Sequence, residues 1–229
     1  MFFPLAVIVL VATSMSPRPA AAGGTEVQIV TRDGASIGAT FFAGAPGPAV
    51  VIFRNCDAER ASVTDLAVAL QARGLSTLAY DYRPGLAPGR DYEQTRLVDM
   101  EDVHDWLARQ PGVTSTRLAA IGGSCGVQAA LVFARRYAPD VRAAIVMSGG
   151  VNEELHAFVR TAPHLAILGI GSRPEGAPEL IDDITRASPH PATRRLMLEN
   201  RRHGTFILDD PALRANALAW LTAQLGVTP

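Results

Sequence analysis

Hydrophobic and polar positions repeat with two periods along this chain, and the switches between them predict its elements. Glu26-Val27-Gln28-Ile29-Val30 alternates residue by residue and reads as a strand. Asp33-Gly34 is a turn signal, and Ile37 to Phe42 returns as a second strand. After the loop Ala45-Pro46-Gly47-Pro48, the run Ala49-Val50-Val51-Ile52-Phe53 is apolar throughout, as in a strand buried on both faces. Ser62 to Arg73 carries Leu66, Ala69 and Leu70 at helical spacing and stops at Gly74. Leu75 to Tyr80 is the next strand. Tyr92 to Ala108 is a long helix with Met100, Val103, Trp106 and Leu107 inward, ended by Pro111-Gly112. Arg117 to Ile121 and Val141 to Met147 are strands on either side of a helix from Cys125 to Tyr137. A short helix (Asn152 to Arg160), a strand (His164 to Ile170), a helix (Pro178 to Arg186) and a last strand (Arg194 to Glu199) follow. Pro211 to Leu225 closes the chain as a helix burying Leu213, Ala217, Trp220 and Leu221.

From about Ala49 onward strand and helix alternate. That pattern predicts an α/β fold: a mostly parallel sheet of about eight strands with helices on both faces. The opening hairpin adds antiparallel strands at one edge. Links between elements are short, which leaves no room for a large cap domain, so residues 23–229 are expected to form one domain.

The first 22 residues break the pattern. Leu5-Ala6-Val7-Ile8-Val9-Leu10-Val11 is an apolar core too short to span a bilayer, and Ala20-Ala21-Ala22 offers small residues for cleavage. This predicts a signal peptide cleaved near Ala22 and a secreted or periplasmic protein without a membrane span, although no Lys or Arg precedes the apolar run. In an oxidising compartment the two cysteines, Cys56 and Cys125, are free to form one internal disulfide. The formal net charge of -1 over 229 residues gives no electrostatic footprint for nucleic acid. No Cys/His cluster has zinc spacing, so no metal is expected, and the serine chemistry below calls for no cofactor.

The chemistry centres on Gly122-Gly123-Ser124-Cys125-Gly126, where an apolar run meets a helical pattern. This is a G-x-S-x-G nucleophile elbow in the strand–turn–helix context that gives it meaning. Gly122 and Gly126 let the turn close tightly and lift Ser124 clear of the strand. Gly34-Ala35-Ser36-Ile37-Gly38 fits the same expression, but it leads from a hairpin turn into a strand and is discarded. A serine hydroxyl needs a base, which in an elbow of this kind comes last in chain order. Among five histidines, His104 and His156 lie in helices, His164 opens a strand and His190 sits between prolines. His203 alone follows the last strand, where a loop reaches the carboxyl ends of the strands.

Taken together, Asp81-Tyr82-Arg83, Asp105-Trp106-Leu107, the elbow and His203-Gly204-Thr205 resemble the α/β-hydrolase superfamily, and within it the small dienelactone-hydrolase-like esterases. The resemblance runs over nearly the whole chain after the leader. It departs at the nucleophile, where dienelactone hydrolases proper carry Cys and this chain carries Ser124, and at the acid loop, which lacks the usual Asp. The resemblance implies an acid after the seventh strand, near Pro174, so Glu175 is the nearest carboxylate. Glu153 or Glu154 after the sixth strand, or a dyad with no acid, remain open. It also puts Arg54-Asn55 at the usual His-Gly of the oxyanion loop, making the backbone N–H groups of Cys56 and Cys125 the expected oxyanion donors. Two donors around one oxygen bring their Cα atoms within or near the ~4.4–6.8 Å span a disulfide tolerates, so the two cysteines are expected to be close, either bonded or as two small buried thiols. Arg54 is read either as an anchor for an acidic substrate group or as a salt-bridged loop residue. The expected function is a serine hydrolase of a small carboxylic ester, thioester or lactone. A binding protein of the same fold that has lost turnover, and a peptidase, are the alternatives.

Overall fold

The computed structural model describes residues 23–83, 90–175 and 178–227. The expected leader, its cleavage point and Gly176 of the acid loop lie outside the described residues. Eight strands form one sheet in the order β1-β2-β4-β3-β5-β6-β7-β8. They are β1 (Thr25–Val30), β2 (Ser36–Phe42), β3 (Gly47–Phe53), β4 (Ser76–Tyr80), β5 (Val113–Gly123), β6 (Val141–Met147), β7 (Ala166–Ser172) and β8 (Arg194–Leu198). β2 is antiparallel to both β1 and β4, and every pairing from β4 to β8 is parallel. The turn at Asp33-Gly34 leads into β2 at Ser36, as the discarded elbow match required.

The helices are α1 (Thr64–Gln71), α2 (Arg90–Ala108), α3 (Gly126–Arg136), α4 (Glu153–Arg160), α5 (Pro178–Ala187) and α6 (Pro211–Gln224). Neighbouring side chains of one strand point to opposite faces, and here both faces are covered. Val51, Phe53 and Ala120 face α2, α3, α4 and α5, whereas Val50, Ile52 and Ile121 face α1 and α6. This two-sided burial is why β3 is apolar without a break.

Several boundaries differ from the sequence reading. The helix expected from Ser62 starts with a 3-10 turn, Arg60–Val63, before α1. Trp106 and Leu213 are half-buried and pack on the rim of the two cores. The elbow strand runs two residues further than expected, to Gly123. β7 is shifted by two, so His164 lies in the turn before it. The physical reason at its far end is that Gly171 continues the strand where glycine suggests a loop. A Cβ at Gly169 would meet Thr185 Cγ2 at 2.4 Å, so glycine there lets α5 sit directly on the sheet. The acid loop is thereby shortened to a 3-10 turn, Arg173–Glu175.

Candidate active site

The parallel strands end along one edge, and the residues that follow them converge there. Ser124 follows β5 with φ 55, a left-handed conformation that is costly for a residue with a Cβ. Close approaches hold it. A Cβ on Gly126 would lie 2.0 Å from the carbonyl oxygen of Phe53, so α3 passes the end of β3 with no space for a side chain. The Ser124 N–H donates to Met147 O at 2.9 Å, pinning the elbow to β6.

His203 follows β8 and opens a 3-10 helix, Gly204–Asp209. The next residues dock beside the elbow. Thr205 donates from its N–H to Asn55 Oδ1 at 3.0 Å, and a Cβ on Gly123 would meet Thr205 N at 2.4 Å. Buried Asn55 therefore links the loop after β3 to the histidine loop. Glu175 Oε1 lies 2.8 Å from His203 Nδ1, with the glutamate side chain 15% exposed and the histidine 46%. Glu153 and Glu154 are turned elsewhere: they pair with Arg160 and Arg135, each at 2.5 Å, on the solvent side of α4. Among the described residues, no hydrogen bond joins the Ser124 hydroxyl to His203, so the structure brings His203 and Glu175 together and leaves Ser124 unlinked to them. Catalytic hydrogen bonds are often loose before a substrate is bound.

Cys56 and Cys125 form a disulfide, with their Cα atoms 5.9 Å apart. The bond ties the loop after β3 to the residue after Ser124. Among the described residues, neither backbone N–H has an acceptor. Arg54 is buried inside the same loop. It donates to the carbonyls of Asn55 and Ala58, lies 3.7 Å from Asp81 and covers the Tyr82 ring at 4.5 Å, and the Tyr82 hydroxyl donates to Arg54 O at 2.8 Å. These contacts fit the loop-residue reading of Arg54.

The remaining histidines have other surroundings. His104 stacks on Tyr137 with ring centres 3.7 Å apart, and His190 Nδ1 accepts from Ala192 N. Burial lowers the pKa of His164, and His156 lies on α4. Sequence reasoning missed two residues that meet this edge, Asn55 as the link to Thr205 and Ser148, whose hydroxyl donates to Glu175 Oε2 at 2.5 Å. The Ser-Gly-Gly that follows buried β6 was the one available signal for Ser148.

A cavity of about 380 Å³ opens beside Ser124, lined by the apolar Leu97, Met100, Ala129 and Val132, by the polar Arg96 and Gln128, and by Gly149 and Gly150. A smaller one, about 70 Å³, lies against Glu175 and His203, and Ser148 borders both.

The edge geometry and the strand order decide the architecture. This chain has the α/β-hydrolase fold. Solved α/β-hydrolase structures superpose on nearly all of it. An esterase of Pyrococcus furiosus covers 94% of this chain and 96% of its own, with TM-score 0.67 at 16% identity. The esterase domain of a Rhodothermus marinus protein gives 0.65 at 19% identity, covering 87% of this chain and 96% of its own. A dienelactone hydrolase-like promiscuous phosphotriesterase from metagenomic libraries gives 0.63 at 19%, covering 89% and 99%. In sequence, the chain is 36% identical over 142 residues to uncharacterized proteins of two Mycobacterium tuberculosis strains. That stretch is 60% of this chain and 49% of each relative, so the chain spans about half the length of the curated relatives it matches. No protein-family model matches the sequence.

Proposed function

We propose that this chain is a serine hydrolase acting on small carboxylic esters. One observation carries the reading: Glu175 Oε1 is 2.8 Å from His203 Nδ1 at the strand edge where Ser124 turns through a left-handed elbow. With Nδ1 engaged, Nε2 is left to take the proton of Ser124 as Oγ attacks the ester carbonyl. Glu175 holds the ring and stabilises its protonated form. The unclaimed N–H groups of Cys56 and Cys125, held together by their disulfide, suit the oxyanion of the tetrahedral intermediate. The protonated imidazole then releases the alcohol, and water, activated by the same histidine, frees the acid from the acyl-enzyme.

The cavity at Ser124 combines apolar side chains with the polar Arg96 and Gln128, which suits a small substrate with both apolar and polar parts. The esterases among the solved structures of this fold agree with the reaction class. A disulfide beside the nucleophile fits export to an oxidising compartment, as the leader suggests.

The test is labelling with a fluorophosphonate, followed by a p-nitrophenyl ester series of increasing acyl length. Ser124 is the expected site of modification. Ser124→Ala and His203→Ala should each lower kcat by up to about 10⁶-fold, and the double variant should be hardly worse than either, because such groups act as a unit. An unmodified Ser124, or full activity in Ser124→Ala, sinks the proposal in favour of a binding protein without turnover.

A further inference from the structure

Two non-glycine residues with positive φ stand among the described residues: Ser124 (φ 55) and Ser148 (φ 51). They end adjacent strands. Gly123 of β5 pairs with Met147 of β6, and the serine after each turns left-handed at the same edge. Such a conformation disfavours any residue with a Cβ, and it persists where the surroundings enforce it. At Ser148 the backbone is held by its N–H, which donates to Ile170 O at 3.2 Å. The hydroxyl is aimed across the edge, onto Glu175 Oε2 at 2.5 Å.

The acid has an unusual need for this contact. Glu175 comes from a short 3-10 turn after β7, and a glutamate has one more rotatable bond than an aspartate. Its Oε1 faces His203 Nδ1, and without a second anchor the carboxylate plane turns freely about that contact. Ser148 supplies the second anchor, so each carboxylate oxygen has its own donor. A short O–H···O⁻ bond is the stronger kind, because the acceptor is charged.

We infer that Ser148 is a positioning residue: its hydroxyl fixes the Glu175 carboxylate in the orientation that holds His203 for catalysis. The inference rests on the serine-hydrolase reading. It explains why a glutamate can serve in a loop without the usual aspartate, and why a serine occupies a backbone conformation better suited to glycine.

The experiment uses Ser148→Ala and Ser148→Gly in the full chain, with p-nitrophenyl acetate hydrolysis and the rate of Ser124 labelling by a fluorophosphonate as readouts. Both variants lack the hydroxyl, but glycine also relieves the backbone. Both are expected to lower kcat and the labelling rate by about 10–100-fold, the usual effect of losing an orienting partner, with KM little changed. Ser148→Gly should melt no lower than the wild type. In a Glu175→Gln background, Ser148→Ala should add almost nothing, since its effect runs through Glu175. Wild-type rates in Ser148→Gly overturn the inference, because the serine then serves only the turn. An equal loss in the Glu175→Gln background overturns it as well, because the hydroxyl then acts elsewhere. A wild-type protein that neither labels nor hydrolyses the ester fails at the hydrolase reading itself, a result distinct from either.

Discussion

Glu175 is the residue on which sequence and geometry differ most in what they offer. The sequence offers two other carboxylates, Glu153 and Glu154, or no acid at all, and the loop that carries Glu175 cannot be drawn until β7 is known to run on through Gly171 to Ser172. Ser124 and His203 were legible because a motif in context and a chain order single them out. Ser148 was not, since a left-handed serine bonded to a side chain 27 residues away leaves no local pattern. The acid assignment makes a sharp forecast. Glu175→Gln should lower kcat by up to ~10⁴-fold, as loss of the orienting carboxylate does in serine proteases. Glu153→Gln, which removes an exposed partner of Arg160, should leave turnover near wild type. Steady-state kinetics on the two variants decides the matter, and the reverse order would move the acid to the start of α4.

At the scale of elements, Arg83 clamps three pieces of chain. It leaves the end of β4, reaches Asp33 in the β1–β2 turn at 2.7 Å, and pairs with Asp99 on α2. Asp99 is buried, and burial raises its pKa despite the guanidinium beside it. Asp33 is held well below the usual carboxylate range, chiefly by its hydrogen bond to Arg83. Arg83→Ala strands the buried carboxylate and should destabilise the fold by roughly 3–5 kcal/mol at neutral pH. The sign of the pH dependence follows from both acids. Ionised Asp99 is penalised in the folded state, and the penalty fades as pH falls through its raised pKa toward the unfolded value. Asp33 contributes stability above its unfolded pKa and loses it as pH falls through its far lower folded pKa; removing Arg83 takes away the largest part of that contribution, and the Thr31 hydroxyl keeps a share of the rest. Both effects make the deficit of Arg83→Ala shrink on acidification, through Asp99 down to the ordinary Asp range and through Asp33 only below it. Urea melts of the two proteins at neutral pH and near about pH 4, the ordinary Asp range, should show it, and a deficit that grows in acid would refute the account.

For the whole molecule, the eight-stranded layout was legible because strands covered on both faces must be apolar throughout, and this chain alternates such runs with helical ones. The place of β4 outside β3 was not, because spatial order depends on which edge each crossover takes, and no residue pattern records that. The Cys56–Cys125 disulfide acts at this scale too. It closes a 69-residue separation, and constraining the unfolded chain over that length stabilises the fold by about 4 kcal/mol on chain-entropy grounds. Replacing both cysteines by serine should lower the melting temperature by roughly 10 °C for a domain of this size. It should also weaken turnover, because the two proposed oxyanion donors are no longer tied. An unchanged melting curve in calorimetry would show that the bond constrains little. The same bond encloses α1, β4, α2 and β5 in one covalent ring. A protease that cuts once inside that ring opens it without releasing either piece, so the nicked protein keeps its mass on a gel until a reductant separates it into two bands.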